Sequence, residues 1–364
     1  PDHIQALRSY SPGLSAAEQA KDLGLDRFAE LWNNENNLGV PQKAAERLSR
    51  AATNLNRYPD PVSRELRNKL AELRGRGPEE IVIGNGSESI LANIFKAFFG
   101  PDDNFITTQG TFVAVYIWAK SSNVEPKLVP LNSNYGFDLG AIEDAIDENT
   151  RMVYLSNVNN PTGTMISKEE IDGFLDGISE DIIVVIDEAY REYSHDLIDD
   201  FPDSALMKRP NVITLGTFSK AYGLAGMRVG YAIADKRLAD ALNKVRMTFA
   251  PSMLAQEAAL GALEDHDFLA KTLKVNRDGI TAFERTCKEF GLSYAQPFGN
   301  FIMIDLHQED KAAEMAEKLR QKGIFVRVLG AFGLPHCIRV STGTEKENAW
   351  FTQALKDIIQ ELKP

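Results

Sequence analysis

Cysteine is scarce in this sequence. Cys287 and Cys337 are the only two in 364 residues, too few for a disulfide framework, and a reducing cytoplasm is the natural setting. Histidine is sparse as well. The five histidines are scattered and neither cysteine sits in a metal-ligand spacing, which predicts no metal site. Basic charge is outweighed: 40 Lys and Arg against 52 Asp and Glu leave a net charge of -12, which argues against nucleic-acid binding and against an anionic membrane surface. No apolar run approaches the length of a membrane span. The start, Pro1-Asp2-His3-Ile4, lacks a basic region followed by a hydrophobic one, so no signal peptide is expected in this sequence. A start at proline suggests that something, at least a methionine, has been removed. No internal repeat and no low-complexity linker interrupts the chain.

What is present suits a large enzyme. With 43% hydrophobic and 25% charged residues, the chain can bury a sizeable core, and its length suggests two domains. Short apolar runs alternate with helical patterns, as in an α/β domain with a mainly parallel sheet. Strands are expected at Ile81–Gly84, Asn104–Thr107, Lys127–Leu131, Met152–Leu155, Ile182–Ile186, Val212–Leu215 and Val229–Ile233. Crossover helices are expected over Asp138–Thr150 and Ser167–Ile178, the second opened by a capping box at Ser167 and Glu170. After about residue 265 the pattern changes to helices (Asp267–Phe290, Lys311–Lys322) and short strands (Phe301–Ile304, Phe325–Val328, Cys337–Ser341), an α+β lobe.

The chemistry gathers around Thr217-Phe218-Ser219-Lys220 and Gly226-Met227-Arg228-Val229-Gly230. A lysine amine condenses with an aldehyde, while nearby hydroxyls and a guanidinium hold a phosphate. Taken alone, Lys220 reads as a surface lysine. The run Ala221-Tyr222-Gly223-Leu224-Ala225-Gly226 after it is poor material for a solvated face and good material for close approach of backbone to a ligand. Upstream, Val184-Val185-Ile186-Asp187 runs an apolar strand into an acid. Asp187 reads either as a helix N-cap or as the partner of a cofactor ring nitrogen. Tyr190 shares its face if the chain turns helical there. Asn160 precedes a proline, either an ordinary turn or an extended residue aimed at the ring oxygen. Together these residues spell pyridoxal phosphate. Gly84-Asn85-Gly86-Ser87-Glu88-Ser89 lacks the third glycine of a dinucleotide fingerprint. The amides of Ser87, Glu88 and Ser89, opening a helix through Ile90–Phe99, are better placed to cradle the cofactor phosphate, with Thr217, Ser219 and Arg228 completing the cup.

The ordered set Asn160, Asp187, Tyr190, Lys220 and Arg228 resembles that of fold-type-I aminotransferases of the aspartate aminotransferase superfamily. Within it, Tyr10-Ser11-Pro12-Gly13, Asn34-Glu35-Asn36-Asn37-Leu38-Gly39, Asn56-Arg57-Tyr58-Pro59-Asp60 and Ile338-Arg339-Val340-Ser341-Thr342-Gly343-Thr344 are most similar to the histidinol-phosphate aminotransferase branch. The resemblance implies an α/β fold: a large domain (46–265) with a mainly parallel seven-stranded sheet, and a smaller α+β domain formed by 266–364 with the N-terminal arm (1–45). It implies a catalytic set of Lys220, Asp187 and Tyr190. It also implies that Phe112, otherwise a plain core residue, stacks on the pyridine ring. Tyr58, otherwise a loop tyrosine, would reach the cofactor phosphate from the other subunit of a homodimer. Arg339, unless an edge-strand arginine pointing to solvent, is suited to binding a substrate carboxylate. Tyr10, Arg327 and Asn36 are further substrate candidates.

The sequence departs from the branch pattern at Gly110, Asn37 and Val158, where prolines are usual, and at Val115, where tyrosine is common. Three activities follow from the resemblance. The first is amino transfer from histidinol phosphate to 2-oxoglutarate in histidine biosynthesis. The second is amino transfer on an aromatic or other amino acid. The third is decarboxylation of a phosphorylated amino acid.

Overall fold

The computed structural model describes residues 1–7 and 13–362, so the candidate Tyr10 lies outside the described residues. In chain order the strands are β1 (Ala29–Glu30), β2 (Ile81–Gly84), β3 (Asn104–Thr108), β4 (Pro126–Val129), β5 (Thr150–Ser156), β6 (Ile183–Asp187), β7 (Val212–Thr217), β8 (Gly230–Ala234), β9 (Ser293–Ala295), β10 (Phe301–Asp305), β11 (Ile324–Phe325), β12 (Arg327–Leu329) and β13 (Leu334–Ser341). Strands β2 to β8 make a seven-stranded sheet in the order β2-β8-β7-β6-β5-β3-β4. β8 runs antiparallel to both neighbours, and the other pairings are parallel.

The central strands are apolar on both faces because both are covered, as parallel sheets require. Met152, Tyr154 and Val185 face one core, packed against helix Gly86–Phe98 through Ile90, Leu91 and Ile94. Val153, Leu155, Val184 and Ile186 face the other, against Ile171 and Phe174 of helix Lys168–Gly177. That helix opens with the expected reciprocal cap of Ser167 and Glu170. The expected helix over Asp138–Thr150 is shorter. It spans Leu139–Asp144, capped by Asp138, because Asp147 folds its carboxylate onto the amide of Asn149 and the hydroxyl of Thr150 and starts a turn instead.

A second sheet has the order β12-β13-β10-β9 and packs on helices Glu309–Gln321 and Glu345–Leu362. The N-terminal segment joins this lobe, since β1 pairs in parallel with β11. The single strand expected over Phe325–Val328 is two. β11 stays buried on β1, while β12 turns away at Val326 to pair with β13. Among the described residues, no helix is long and apolar enough to cross a membrane.

Candidate active site

Ligands of open α/β sheets bind beyond the carboxyl ends of parallel strands. Ser156 ends β5, Asp187 ends β6 and Thr217 ends β7 at one edge of the sheet. Strand β8 runs the other way, so Gly230, at its start, lies at the same edge, paired with both Gly84 and Thr217. These ends and the first turn of helix Gly86–Phe98 surround a cleft. Ser87, Glu88, Phe112, Asn160, Asp187, Tyr190, Thr217, Ser219, Lys220 and Arg228, drawn from motifs spread along the chain, all line it.

At one end of the cleft lies a cup of donors. Ser219 N–H donates to Thr217 Oγ1 at 3.1 Å, the Thr217 hydroxyl donates to Ser219 Oγ at 3.0 Å, and Arg228 Nη1 reaches Ser219 Oγ at 3.4 Å. Helix Gly86–Phe98 has no side-chain cap at its N-terminus, which leaves the amides of its first turn to an anion. A Cβ on Gly230 would lie 2.4 Å from Ser87 N, so only glycine lets β8 press against this turn. Ser89 stands slightly apart: its hydroxyl donates to Gly86 O at 3.1 Å and lines a neighbouring cavity.

At the other end Asp187 is buried, accepting from the Tyr154 hydroxyl at 2.9 Å and from the Ala189 amide at 3.1 Å. Burial lifts its carboxyl to about 6, and these two donors hold it from rising further. A buried carboxylate with no cation bonded to it among the described residues suits a protonated ring nitrogen. Lys220, half-buried, donates from Nζ to Asn33 O at 3.1 Å. Burial brings its amine down to about 8, helped by the positive charge of Arg339. Tyr190 is buried at the start of helix Arg191–Leu197, and its hydroxyl accepts from Asn34 Nδ2 at 2.9 Å. A phosphate cup, a buried acid and a depressed lysine in one cleft fit pyridoxal phosphate.

Arg339 is buried rather than pointing to solvent. Nη1 donates to Asn160 Oδ1 and Nη2 to Trp32 O at 2.6 Å, both neutral acceptors, while Nε finds no partner among the described residues. Burial lowers the guanidinium to about 10. Arg327 sits opposite it in register on β12 and donates to Asn33 Oδ1 at 2.7 Å, exposed and outside the cleft lining.

Two further candidates also lie outside the cleft lining. Asn36 spends its amide nitrogen on Ala221 O and Thr272 Oγ1, and its oxygen accepts from the Leu38 amide, so it braces the N-terminal segment instead of facing a substrate. Tyr58 is 78% exposed, stacked on Phe249 with ring centroids 4.4 Å apart and outside the cleft of its own chain. Gly223 also serves packing, since a Cβ there would lie 2.5 Å from Gly39 O. Conversely, the residues bringing Asn33, Asn34 and Tyr154 to the site come from lateral contacts. No local motif marks Tyr154 within the apolar run of β5; strand pairing alone brings it to Asp187.

The model of the aminotransferase class I and II family matches residues 28–355. The chain belongs to this family. It is a pyridoxal-phosphate-dependent aminotransferase, acting on an amino donor and a 2-oxo acid. Curated relatives of this aminotransferase include histidinol-phosphate aminotransferase 1 of Idiomarina loihiensis, 37% identical over 98% of this chain and 96% of its own length. Histidinol-phosphate aminotransferase of Akkermansia muciniphila is 38% identical over 98% of each chain. Among solved structures, histidinol-phosphate aminotransferase from Sinorhizobium meliloti in complex with pyridoxal-5'-phosphate superposes with a TM-score of 0.89 at 29% identity, covering 99% of this chain and 97% of that one.

Proposed function

We propose that this aminotransferase moves the amino group of L-histidinol phosphate to 2-oxoglutarate, giving imidazole acetol phosphate and L-glutamate in histidine biosynthesis. The observation that carries the reading is the pair Arg339 and Arg327, in register on neighbouring strands and both tied to the segment Trp32–Asn33 beside Lys220. The buried fork of Arg339, bonded only to neutral oxygens, suits the carboxylate of glutamate or 2-oxoglutarate. Arg327 offers a second cation for a phosphate-bearing donor. The names of the relatives support the same substrate.

The bound cofactor supplies an aldehyde for an amine and a ring that accepts the electrons of the substrate α-carbon. The protein does the rest. Lys220, with its amine lowered to about 8, would take the proton from the substrate α-carbon and return it on the far side of the amine nitrogen, two atoms along, acting as base and then acid. Asp187 would pair with the ring nitrogen and keep its proton there. Asn160 and Tyr190, which line the same cleft, would serve the ring oxygen, and Phe112 the ring face. The amides of Ser87, Glu88 and Ser89 with Thr217, Ser219 and Arg228 would hold the phosphate.

We assign 46–265 to a large cofactor-binding domain and 1–45 with 266–364 to a small one, supported by the β1–β11 pairing. The exposed Tyr58 suits a symmetric homodimer in which it completes the partner's phosphate cup, and two free, buried cysteines suit the cytoplasm. A substrate panel tests the activity: glutamate formation from histidinol phosphate should require 2-oxoglutarate. Faster turnover of an aromatic amino acid, or release of carbon dioxide without a keto acid, would replace the proposal with another amino donor or with decarboxylation.

A further inference from the structure

One titratable cluster takes no part in the chemistry above. Asp305 on β10 lies directly opposite Cys337 on β13, so both side chains leave the sheet on one face. His336 adds an imidazole, with Nε2 3.9 Å from Asp305 Oδ1. The ligand-type atoms of Asp305, His336 and Cys337 all lie within 4.8 Å of one another. Asp305 and Cys337 are buried, and His336 is half-buried. We propose that Asp305, His336 and Cys337 form a binding site for a borderline-soft divalent cation, zinc foremost.

The donor set matches that chemistry. Zinc takes thiolate, imidazole and carboxylate together at about 2.0–2.3 Å, which holds tetrahedral ligand atoms roughly 3.3–3.8 Å apart. The present spacing therefore needs to close by about 1.5 Å at most. Charge balances too: the thiol proton leaves to solvent, and one thiolate with one carboxylate neutralises the ion, so no net charge is buried. The carboxylate is already oriented from behind. The Tyr135 hydroxyl donates to Asp305 Oδ2 at 2.7 Å and the His307 amide to Oδ1 at 2.7 Å, the kind of outer-shell support that fixes metal ligands. The fourth position is left to water or to His307, whose Nδ1 lies 3.2 Å from Asp305 Oδ2. The scattered histidines and cysteines suggested no metal site, because Asp305 meets the adjacent His336 and Cys337 only through strand register.

The test uses the holoenzyme, treated with a chelator and then titrated with zinc against a chromophoric competitor. One zinc per chain is expected, with micromolar or tighter affinity and a Tm that rises with free zinc. Cobalt in its place should give tetrahedral visible bands and a thiolate charge-transfer band in a difference spectrum. Cys337→Ser should abolish the thiolate band, whereas Cys287→Ser, a buried thiol on helix His266–Phe290, should leave it. His336→Gln changes a half-exposed side chain and should weaken zinc more than Tyr135→Phe, itself costing about ten- to a hundredfold. Absence of stoichiometric binding would overturn the proposal. So would a cobalt spectrum without the thiolate band, or unchanged affinity in His336→Gln.

Discussion

Replacing Gly230 by alanine tests whether the phosphate cup is built by close backbone approach. The added methyl would lie 2.4 Å from Ser87 N, 2.7 Å from Gly86 C and 2.9 Å from Gly216 O. Comfortable carbon contacts lie near 3.5–4.0 Å, so the overlap is about 1 Å on two sides. None of these atoms can rotate away, because all three are backbone. Strand β8 is held in register by β2 and β7, which leaves the first turn of helix Gly86–Phe98 as the part that must give. Overpacking of this kind costs about 1–3 kcal/mol. For a domain of this size each kcal/mol lowers Tm by about 2–4 °C. The strain falls on the amides proposed to hold the phosphate, and every 1.4 kcal/mol lost there is about tenfold in cofactor affinity. Equilibrium dialysis of the cofactor and a thermal melt read the two effects separately. Gly173→Ala, in helix Lys168–Gly177 with nothing within 4 Å of a new Cβ, is the control and should stabilise by about 0.5–1 kcal/mol. Gly230→Ala with unchanged cofactor affinity would refute the cup as drawn.

Borohydride reduction of the holoenzyme should fix the cofactor to Lys220, and a peptide map placing the label elsewhere would remove the assignment. Because the attacking amine must be neutral and its value is about 8, cofactor association with the stripped enzyme should quicken as pH rises through 8 and level off above it; a flat profile between pH 7 and 9 would contradict the depressed lysine. Asp187→Ala should slow α-proton transfer by orders of magnitude. Tyr154→Phe removes one of the two donors holding Asp187 down, so its carboxyl rises further above about 6 and the acid limb of kcat/KM should move to higher pH, by roughly one unit or more for a bond worth about 1.5–3 kcal/mol. An unmoved limb would separate Tyr154 from the chemistry. Arg327→Ala should raise KM for histidinol phosphate about tenfold or more while sparing glutamate; equal losses would place Arg327 in the common carboxylate site or in the fold.

The residues readable in advance are those whose chemistry sits at the end of their own strand. An apolar run such as Val184–Ile186 must be buried on both faces, so the polar residue that ends it, Asp187, has to emerge at the sheet edge where ligands bind. Thr217, Ser219 and Lys220 follow from β7 by the same logic, and the Ser167–Glu170 cap is local by construction. Contacts made by lateral register carry no such mark. Tyr154 reaches Asp187 because β5 lies beside β6. Asn33 meets Lys220 through a backbone carbonyl, a group every residue type possesses. Asn36 looked like the useful member of its motif, yet its amide is consumed by Ala221 and Thr272, while Asn34 beside it bonds Tyr190. Asp305 and Cys337, far apart in sequence, become neighbours once β10 and β13 pair. Position along a strand is thus written locally, whereas position across a sheet depends on which strands become neighbours. The cofactor cleft is mostly of the first kind, whereas Asp305 reaches the adjacent pair His336 and Cys337 by the second.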